Sequence, residues 1–356
     1  MSEAVELAPS PAITGGEPVV EASRAPRRSS IRVRHLFHKF GNVEVLRDVD
    51  FEVAEGEVFG FIGPNGAGKT TTIRVMATLL EPMAGRVEIE GIDVARYPDE
   101  VRRIIGYMPD HAGVYERVTV REYLEFFADA YRVRTPRIVS AVLDLTDIGP
   151  LEDRLVATMS KGQKQRLQLA RILLHDPKVL ILDEPASDLD PRARIEIRAL
   201  LGELRNLGKT VLLSSHILTE LADVCTSVGI LERGHIVVSG PIQEIGARFE
   251  QQRANLEAAR QGVPVGAIAP VVPKRSVKLR VLGELDAARA VVDGAPKVIG
   301  CEVEDGALLV EIEGGDAEVA ALVRHLVEGG VGIVGVEQKR ADLERLFLDA
   351  TRGEMG

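Results

Sequence analysis

The stretch Gly63-Pro-Asn-Gly-Ala-Gly-Lys-Thr70 decides the fold of this chain. It fits the pattern G-x-x-x-x-G-K-[ST] and follows the mostly apolar run Glu57-Val-Phe-Gly-Phe-Ile62, which is typical of a buried parallel strand. A helix is predicted directly after it, over Thr70–Leu80. The glycines let successive backbone N–H groups face one concavity, which suits phosphate oxygens. The stretch therefore predicts a phosphate-binding loop between a strand and a helix.

Each position of this loop has an expected role toward a nucleotide. We expect Lys69 to reach the β- and γ-phosphates, the Thr70 hydroxyl to ligate Mg²⁺ and Thr71 to contact the α-phosphate. The other nucleotide-binding positions are Gly63, Pro64, Asn65, Gly66, Ala67 and Gly68. The alternative is a glycine-rich turn that carries the Gly-Lys-Thr sequence by accident, and the strand and helix around the loop disfavour it.

Two carboxylates follow a second apolar run, Val179–Leu182, as Asp183-Glu184-Pro185. Ligands bind at the carboxyl ends of strands in open α/β sheets. We expect Asp183 to coordinate Mg²⁺ and Glu184 to polarise the attacking water as a general base. The alternative is an ordinary strand whose acidic residues meet solvent, which is the more common meaning of such a pattern when it occurs alone. The phosphate-binding loop earlier in the chain makes the functional interpretation the favoured one.

A histidine ends a third strand of the same predicted sheet. The strand Thr210–Leu213 is followed by Ser214-Ser215-His216. At a strand end beside the phosphates, the His216 imidazole is expected to hydrogen-bond the γ-phosphate and the attacking water. The alternative is a structural or exposed histidine, which is the usual role at such a position.

Length and composition limit the class of protein. The chain has 356 residues, 45% hydrophobic and 28% charged, which excludes wholly disordered and fibrous classes. Its charge of 44 − 54 = −10 argues against a dedicated nucleic-acid binder. Two cysteines give no disulfide framework. No apolar run is long enough to span a bilayer, so we expect a soluble, cytoplasmic protein that reaches a membrane only through a partner.

The chain divides into four predicted segments. Residues 1–30 are rich in Pro, Ser, Gly and Ala and are expected to be a disordered tail. Residues 31–245 alternate strands and helices, as in an α/β domain with a largely parallel sheet, and a helical subdomain is expected over about 111–175. Residues 246–275 are expected to form a helix and a proline-containing linker. Residues 276–356 fit a small ferredoxin-like βαββαβ domain with a final helix over 342–351.

Helices of the first domain are predicted from apolar periodicity and from capping residues. Their expected ranges are 119–131, 136–145, 160–174, 191–206 and 217–224.

The segment Met159-Ser160-Lys161-Gly162-Gln163 resembles the signature sequence of ABC transporter ATP-binding subunits, usually Leu-Ser-Gly-Gly-Gln. The resemblance implies a P-loop NTPase fold of the ABC type and an ATPase that uses ATP and Mg²⁺. It also implies that ATP is held between the P-loop of one subunit and Ser160, Lys161, Gly162 and Gln163 of the other. The alternative for Ser160 is an ordinary helix cap.

Two more features match the family. Ser187-Asp188-Leu189-Asp190 resembles the D-loop, which crosses the dimer interface, so Asp188 and Asp190 are expected there. Phe40 stands where the family places an aromatic residue that stacks on adenine, and a phenylalanine retains the π-face of the usual tyrosine. The alternative for Phe40 is a core or hairpin aromatic.

At two positions the chain departs from the family pattern and has a charged residue instead of an uncharged one. Asp110 follows Gly106-Tyr-Met-Pro109, where the family's Q-loop usually has glutamine. A carboxylate can ligate Mg²⁺, so we expect Asp110 to be a metal or water contact; an ordinary loop acid is the alternative. Lys161 replaces the first signature glycine, and its ammonium either supports the γ-phosphate or points to solvent.

Residues 111–131 and 342–351 are similar to exporter ATPases of the daunorubicin-resistance type. This implies a separate membrane permease, a homodimer or a heterodimer with a second ABC ATPase, a location on the cytoplasmic face of the membrane, and export rather than import. The aromatic residues Tyr123, Phe126, Phe127 and Tyr131 either line the groove for the permease's coupling helix or pack inside the helical subdomain. Their i, i+3, i+4 spacing favours packing.

Two functions of other classes remain open. One is a soluble ABC machine of translation or DNA repair, which the single ATPase unit and the acidic balance disfavour. The other is a nucleotide-gated regulator that does not hydrolyse ATP, which Glu184 and His216 disfavour. The transported substrate is not given by the sequence, because selectivity belongs to the permease.

Overall fold

The computed structural model describes residues 28–111, 113–135, 137–216, 224–242, 244–260 and 274–339. Nearly all of the predicted tail 1–30 and of the predicted helix 217–224 lies outside these residues. So do most of the proline-containing linker and the predicted final helix over 342–351.

The chain up to residue 260 contains ten strands and seven α-helices within the described ranges. They are β1 (Ser29–Phe40), β2 (Val43–Ala54), β3 (Val58–Ile62), α1 (Lys69–Met76), β4 (Ala84–Ile89), β5 (Ile92–Asp93), α2 (Pro98–Ile104), β6 (Ile105–Met108), α3 (Val120–Ala130), α4 (Ile138–Leu145), α5 (Lys161–Leu173), β7 (Val179–Leu182), α6 (Pro191–Asn206), β8 (Thr210–Ser215), β9 (Ser227–Glu232), β10 (His235–Pro241) and α7 (Ile245–Arg260).

A six-stranded sheet, in the order β10-β9-β3-β8-β7-β6, carries the predicted loop and the strand-end residues. All neighbours from β9 to β6 are parallel, and only β10 pairs antiparallel. Every residue of β3, β7 and β8 is buried, which explains their continuous apolar sequences. The prediction of a largely parallel sheet is confirmed.

A second, antiparallel sheet of order β2-β1-β4-β5 packs against the first. The ring of Phe51 stacks on Phe59 of β3 with centroids 5.4 Å apart. The turn between β9 and β10 joins this sheet to the phosphate-binding loop, because Arg47 N–H donates to Gly234 O at 2.8 Å and Gly234 N–H donates to Ala67 O at 2.9 Å. The loop is therefore held from both sheets.

Helices α3, α4 and α5 form the predicted helical region. The hydroxyl of Thr119 caps α3, and Glu122 completes a capping box. Tyr123 is buried as its spacing predicts, whereas Phe126 and Tyr131 are 55% and 40% exposed. The aromatic residues are therefore divided between the core and the surface.

The first helix is shorter than predicted. The sequence predicts a helix over Thr70–Leu80, but α1 ends at Met76. Thr78 adopts a positive φ of 60°, and the N–H groups of Leu79 and Leu80 both reach back to Arg74 O. This left-handed turn closes the helix.

Residues 274–339 contain β11 (Lys274–Leu282), α8 (Leu285–Asp293), β12 (Val298–Glu304), β13 (Ala307–Glu313), α9 (Asp316–Glu328) and β14 (Gly332–Lys339). The strands form an antiparallel sheet in the order β12-β13-β11-β14. Val277, Leu279, Val310, Leu322 and other apolar side chains make a core of their own. The elements follow one another in the order βαββαβ. Across all described residues, none of the helices combines the length and the apolar character that crossing a membrane requires.

Candidate active site

The loop between β3 and α1 needs glycine at two points. A Cβ on Gly63 would lie 2.3 Å from the backbone oxygen of Leu231, which is held in β9 by pairing with Ile236 of β10. Gly68, the residue before α1, has a φ of 111°, which L side chains rarely adopt. A Cβ there would also lie 2.6 Å from Leu46 Cδ2. The loop thus takes its shape from close contacts with β2 and β9.

Lys69 lies inside the loop rather than in solvent. Its side chain is 7% exposed, and its Nζ donates to Gly63 O at 2.7 Å and to Pro64 O at 3.3 Å. The same Nζ is 3.6 Å from Glu184 Oε1. The predicted phosphate-binding lysine and the predicted base are therefore ion-paired.

Asp183 is the most buried carboxylate of the site. It is 1% exposed, and burial raises the pKa of its carboxyl above the usual range. Hydrogen bonds from Ser214 and Thr70 lower this pKa and offset part of the increase. The negative charges of Asp110 and Glu184 raise it further. Ser214 Oγ donates to Asp183 Oδ1 at 2.6 Å.

Glu184 lies at a bend that begins after β7 with Asp183, and it has a positive φ of 50°. Its N–H donates to Ser214 Oγ at 2.9 Å, and its Oε2 is 2.9 Å from His216 Nδ1. The side chain of Glu184 is 13% exposed and that of His216 is 41% exposed. One carboxylate thus contacts both a lysine and a histidine, which is an arrangement suited to holding and aiming a base.

The oxygen donors around Asp183 fit Mg²⁺. Thr70 offers a hydroxyl, Asp183 a buried carboxylate and Asp110 a carboxylate that is 39% exposed. Mg²⁺ prefers hard oxygen ligands and commonly uses one or two carboxylates. Asp110 follows β6, the neighbour of β7 in the sheet, and its charge acts on Asp183.

The signature segment begins α5, and Ser160 caps that helix. Gln163 N–H donates to Ser160 Oγ at 3.3 Å, and Ser160 N–H donates to Gln163 Oε1 at 2.9 Å. Lys161 Nζ donates to Asp188 Oδ2 at 3.0 Å, so this ammonium does not simply point to solvent. Gly162 packs on α6, because a Cβ there would lie 2.8 Å from Ala193 Cβ.

The two aspartates of the predicted D-loop make different contacts. Asp190 caps α6, since Ala193 N–H donates to its Oδ1 at 2.9 Å. The Asp188 side chain is 71% exposed and contacts the signature segment.

Phe40 ends β1 and is 50% exposed, so the ring is not a core residue. The Phe40 ring makes a T-shaped contact with the buried His38 ring, with centroids 4.7 Å apart.

The structure brings Lys69, Asp183, Glu184 and His216 together at adjacent strand ends. Sequence reasoning missed Ser214, which contacts both acidic residues. Its signal was its place at the end of a buried strand, directly before Ser215-His216. Sequence reasoning also missed Gln165, whose buried side-chain amide donates to Pro185 O at 2.8 Å and so ties α5 to the chain after Glu184.

The family model and the sequence relatives that match this chain are described as ABC transporter or ATP-binding proteins. A family model described as "ABC transporter" matches residues 46–187. The chain is 32% identical over 326 residues to the daunorubicin resistance ATP-binding protein DrrA3 of Streptomyces coeruleorubidus, covering 91% of this chain and 96% of that protein. It is 35% identical to the ABC transporter ATP-binding protein NatA of Bacillus subtilis, over 60% of this chain and 87% of that protein.

Solved structures show the same likeness. A structure described as the ATP-binding subunit of an ABC transporter is 31% identical, with a TM-score of 0.56, and covers 64% of this chain and 100% of its own.

Proposed function

Since the chain belongs to the family of ABC transporter ATP-binding proteins, which are ATPases, we propose that it powers export through a separate membrane permease. Two ATPase subunits close on ATP, which lies between the P-loop of one and the signature segment of the other. The observation that carries the proposal is the chain of contacts Lys69–Glu184–His216 beside the buried Asp183.

Nucleotide binding is assigned to the loop and to Phe40. The backbone N–H groups of Gly63–Thr71 surround the phosphates, and the positive end of α1 adds to their attraction. The half-exposed ring of Phe40 stacks on adenine. Thr70, Asp183 and Asp110 hold Mg²⁺, which offsets the negative charge on the phosphates.

Hydrolysis is assigned to the residues at the ends of β7 and β8. Glu184 accepts a proton from the water that attacks the γ-phosphorus, while the bond from this phosphorus to the β–γ bridging oxygen breaks and ADP leaves. His216 holds the Glu184 carboxylate through Oε2, and we assign to it a hydrogen bond to the γ-phosphate. Lys69 donates to the β- and γ-phosphates and offsets the charge that develops in the transition state.

The opposite subunit completes the site. Ser160, Lys161, Gly162 and Gln163 contact the γ-phosphate in trans, and the D-loop crosses the interface. Either a homodimer or a heterodimer with a second ABC ATPase satisfies this arrangement. Lys69, Glu184 and His216 of one half-site already lie in contact within one chain, and closure adds the signature contacts.

The permease contact is assigned to the exposed aromatic side chains of the helical region. Tyr115, Phe126 and Tyr131 are 58%, 55% and 40% exposed, and their rings join through the half-buried Phe127. Such a patch suits a short helix from a membrane partner. The chain would then work on the cytoplasmic face of the membrane.

Export is favoured by the names of the relatives. They include a daunorubicin resistance protein and a Nod factor export ATP-binding protein of Rhizobium meliloti that is 37% identical over 237 residues. The chain spans 96% of the first and 68% of the second.

The domain division is part of the proposal: an ATPase domain over 31–245, a connecting segment over 246–275 and an accessory domain over 276–356. We propose that the accessory domain contacts the second subunit. Deleting residues 265–356 should then weaken dimerisation, and an unchanged monomer–dimer equilibrium would count against this contact.

The test of the proposed function is Mg²⁺-dependent ATP hydrolysis by the purified chain, alone and with a co-expressed permease, at several protein concentrations. Glu184→Gln should bind ATP and lose turnover, whereas Glu203→Gln on the exposed face of α6 should retain it. Turnover that rises more than linearly with concentration supports a site shared between subunits. Wild-type turnover in Glu184→Gln would remove Glu184 as the base.

A further inference from the structure

Lys161 and Asp188 form an ion pair between two segments that the proposed function places at the dimer interface. Lys161 is the first residue of α5, and its Nζ lies 3.0 Å from Asp188 Oδ2 in the D-loop. The two side chains are 57% and 71% exposed. The family signature usually has glycine at this position, so the lysine adds a positive charge.

Stability of the fold does not explain this pair. Exposed ion pairs contribute little to the free energy of folding. The first turn of α5 contains Lys161 and Lys164 but no acidic residue, although the positive end of a helix disfavours cations. A residue that conflicts with its local environment in this way is expected at functional positions.

The surroundings of Asp188 place the pair beside the hydrolytic residues. The Lys161 ammonium holds the pKa of the Asp188 carboxyl below its usual range. In the turn before Asp188, Ser187 N–H donates to the backbone oxygen of Glu184 at 3.1 Å, and the Glu184 carboxylate contacts His216. Asp188 is the residue after Ser187, so it joins the signature segment to the turn that begins at the proposed base.

We propose, on the basis of the proposed function, that Asp188 is a positioning residue that holds Lys161 ready for the ATP bound by the opposite subunit. When the subunits close, the Lys161 ammonium exchanges the Asp188 carboxylate for the γ-phosphate in trans. A triphosphate attracts an ammonium more strongly than a single exposed carboxylate does, because it carries more charge and more acceptor oxygens. Lys161 also offsets the negative charge that Asp110 adds to the site.

The test measures MgATP-dependent dimerisation of the full chain by light scattering, in a Glu184→Gln background that prevents turnover. Lys161→Ala should raise the dimer dissociation constant about ten-fold or more, as expected for loss of a charge-assisted hydrogen bond. Lys161→Arg should retain most of the affinity. The matched control is Lys164→Ala, which removes a lysine of the same helical turn that pairs with Glu116 at 2.9 Å and should leave dimerisation unchanged.

A charge exchange separates a phosphate contact from a structural ion pair. Lys161→Glu combined with Asp188→Lys restores the pair but not the cation at residue 161, so dimerisation should stay weak. Asp188→Asn should weaken dimerisation in the parent but add no further loss once Lys161 is alanine, because Asp188 acts through Lys161. The binding of ADP to monomers should not change in any of these variants, whereas a general loss of structure would alter it.

Two results overturn the inference: Lys161→Ala dimerises like the parent, or the charge exchange restores dimerisation. A parent Glu184→Gln chain that binds MgATP but stays monomeric refutes the shared ATP site itself, and this inference with it. Failure of this inference and failure of the proposed function are distinguishable, because only failure of the proposed function leaves the parent Glu184→Gln chain monomeric with MgATP.

Discussion

Replacing Gly162 by alanine should separate the two helices that carry the signature segment and the D-loop. A Cβ on Gly162 would lie 2.8 Å from Ala193 Cβ and 4.0 Å from Ala193 Cα. Carbon atoms in contact prefer about 3.5–4.0 Å, so the two methyl groups would overlap by about 0.7–1.2 Å. Ala193 is fixed in the first turn of α6, where Asp190 accepts a hydrogen bond from its N–H.

The size of the effect follows from this overlap. Adding a methyl group to a well-packed contact costs about 1–3 kcal/mol. An alanine also favours the helix over glycine by up to about 1 kcal/mol, which offsets part of this loss. We therefore expect Gly162→Ala to lower the free energy of unfolding by about 1–2 kcal/mol. The midpoint of thermal unfolding should fall by about 2–4 °C per kcal/mol for a domain of this size.

A second substitution tests the cause. Ala193→Gly removes the opposing methyl group, after which the new Cβ of residue 162 faces only the Cα at 4.0 Å, an ordinary contact distance. Ala193→Gly alone should destabilise the chain by up to about 1 kcal/mol. The double variant should lose less unfolding free energy than the two single variants lose together, and the difference, the coupling energy, should be about 1 kcal/mol or more.

The assay is urea and thermal unfolding of the nucleotide-free chain, which avoids any effect on ATP binding. Gly202→Ala is the matched control, because that glycine is in α6 and a Cβ there meets nothing within 4 Å. It should stabilise the chain by about 0.5–1 kcal/mol. If Gly162→Ala is as stabilising as Gly202→Ala, or if the double variant shows no coupling, the close α5–α6 contact is refuted.

Three further outcomes are expected from other sites. Asp183→Asn removes a buried carboxylate whose pKa burial raises, so the nucleotide-free chain should unfold at a higher temperature while Mg²⁺-dependent turnover is lost; a lower unfolding temperature would contradict this. Phe40→Ala should weaken ATP binding about ten-fold by calorimetry, since aromatic stacking on a base contributes about 1–3 kcal/mol, and Phe40→Tyr should retain binding. The hydrogen bond to Asp48 raises the pKa of His35 above 6.5, so its contribution to stability is present below pH 6.5 and is lost as the pH rises through the raised pKa. NMR titration should show that midpoint move toward 6.5 in Asp48→Asn.

Hairpin turns show which local structure the sequence could predict. Within the part of the chain that the structure describes, three two-residue hairpin turns have positive φ at both residues: Glu90-Gly91, Arg233-Gly234 and Asp305-Gly306. Only the last has a residue pair typical of this turn, and its flanking strands β12 and β13 are the adjacent pair of strands in the βαββαβ order predicted for residues 276–356. The strands around Glu90 and Arg233 were missed, because these residues do not favour positive φ and only tertiary contacts hold them there.

Helices were predicted best where a cap and an apolar period agree. Helix α6 has the predicted bounds 191–206, with Asp190 as its cap, and α5 begins directly after Ser160 as expected. The end of α1 was predicted wrongly, because Thr78 carries no sequence signal for a left-handed turn.

The candidate site depends on strand order, which no local pattern contains. The chain order is β3, β6, β7, β8, but the sheet places β8 between β3 and β7. This order puts Ser214 beside the end of β7, where its hydroxyl donates to Asp183 and accepts from the N–H of Glu184. The serine thus uses both of its hydrogen-bonding roles to fix the proposed metal-binding carboxylate, Asp183, relative to the proposed base, Glu184.

The same contacts account for the backbone of Glu184. A positive φ in a residue other than glycine costs free energy and persists only when neighbouring contacts hold it. Here the N–H of Glu184 is held by Ser214, and its carboxylate is held by Lys69 and His216. Because the bend turns the carboxylate away from the direction of β7, one side chain reaches both the loop after β3 and the histidine after β8. Asp-Glu after an apolar run is common in sequences, and the bend at Glu184 after β7 is what brings this carboxylate to the positions that the proposed hydrolysis requires.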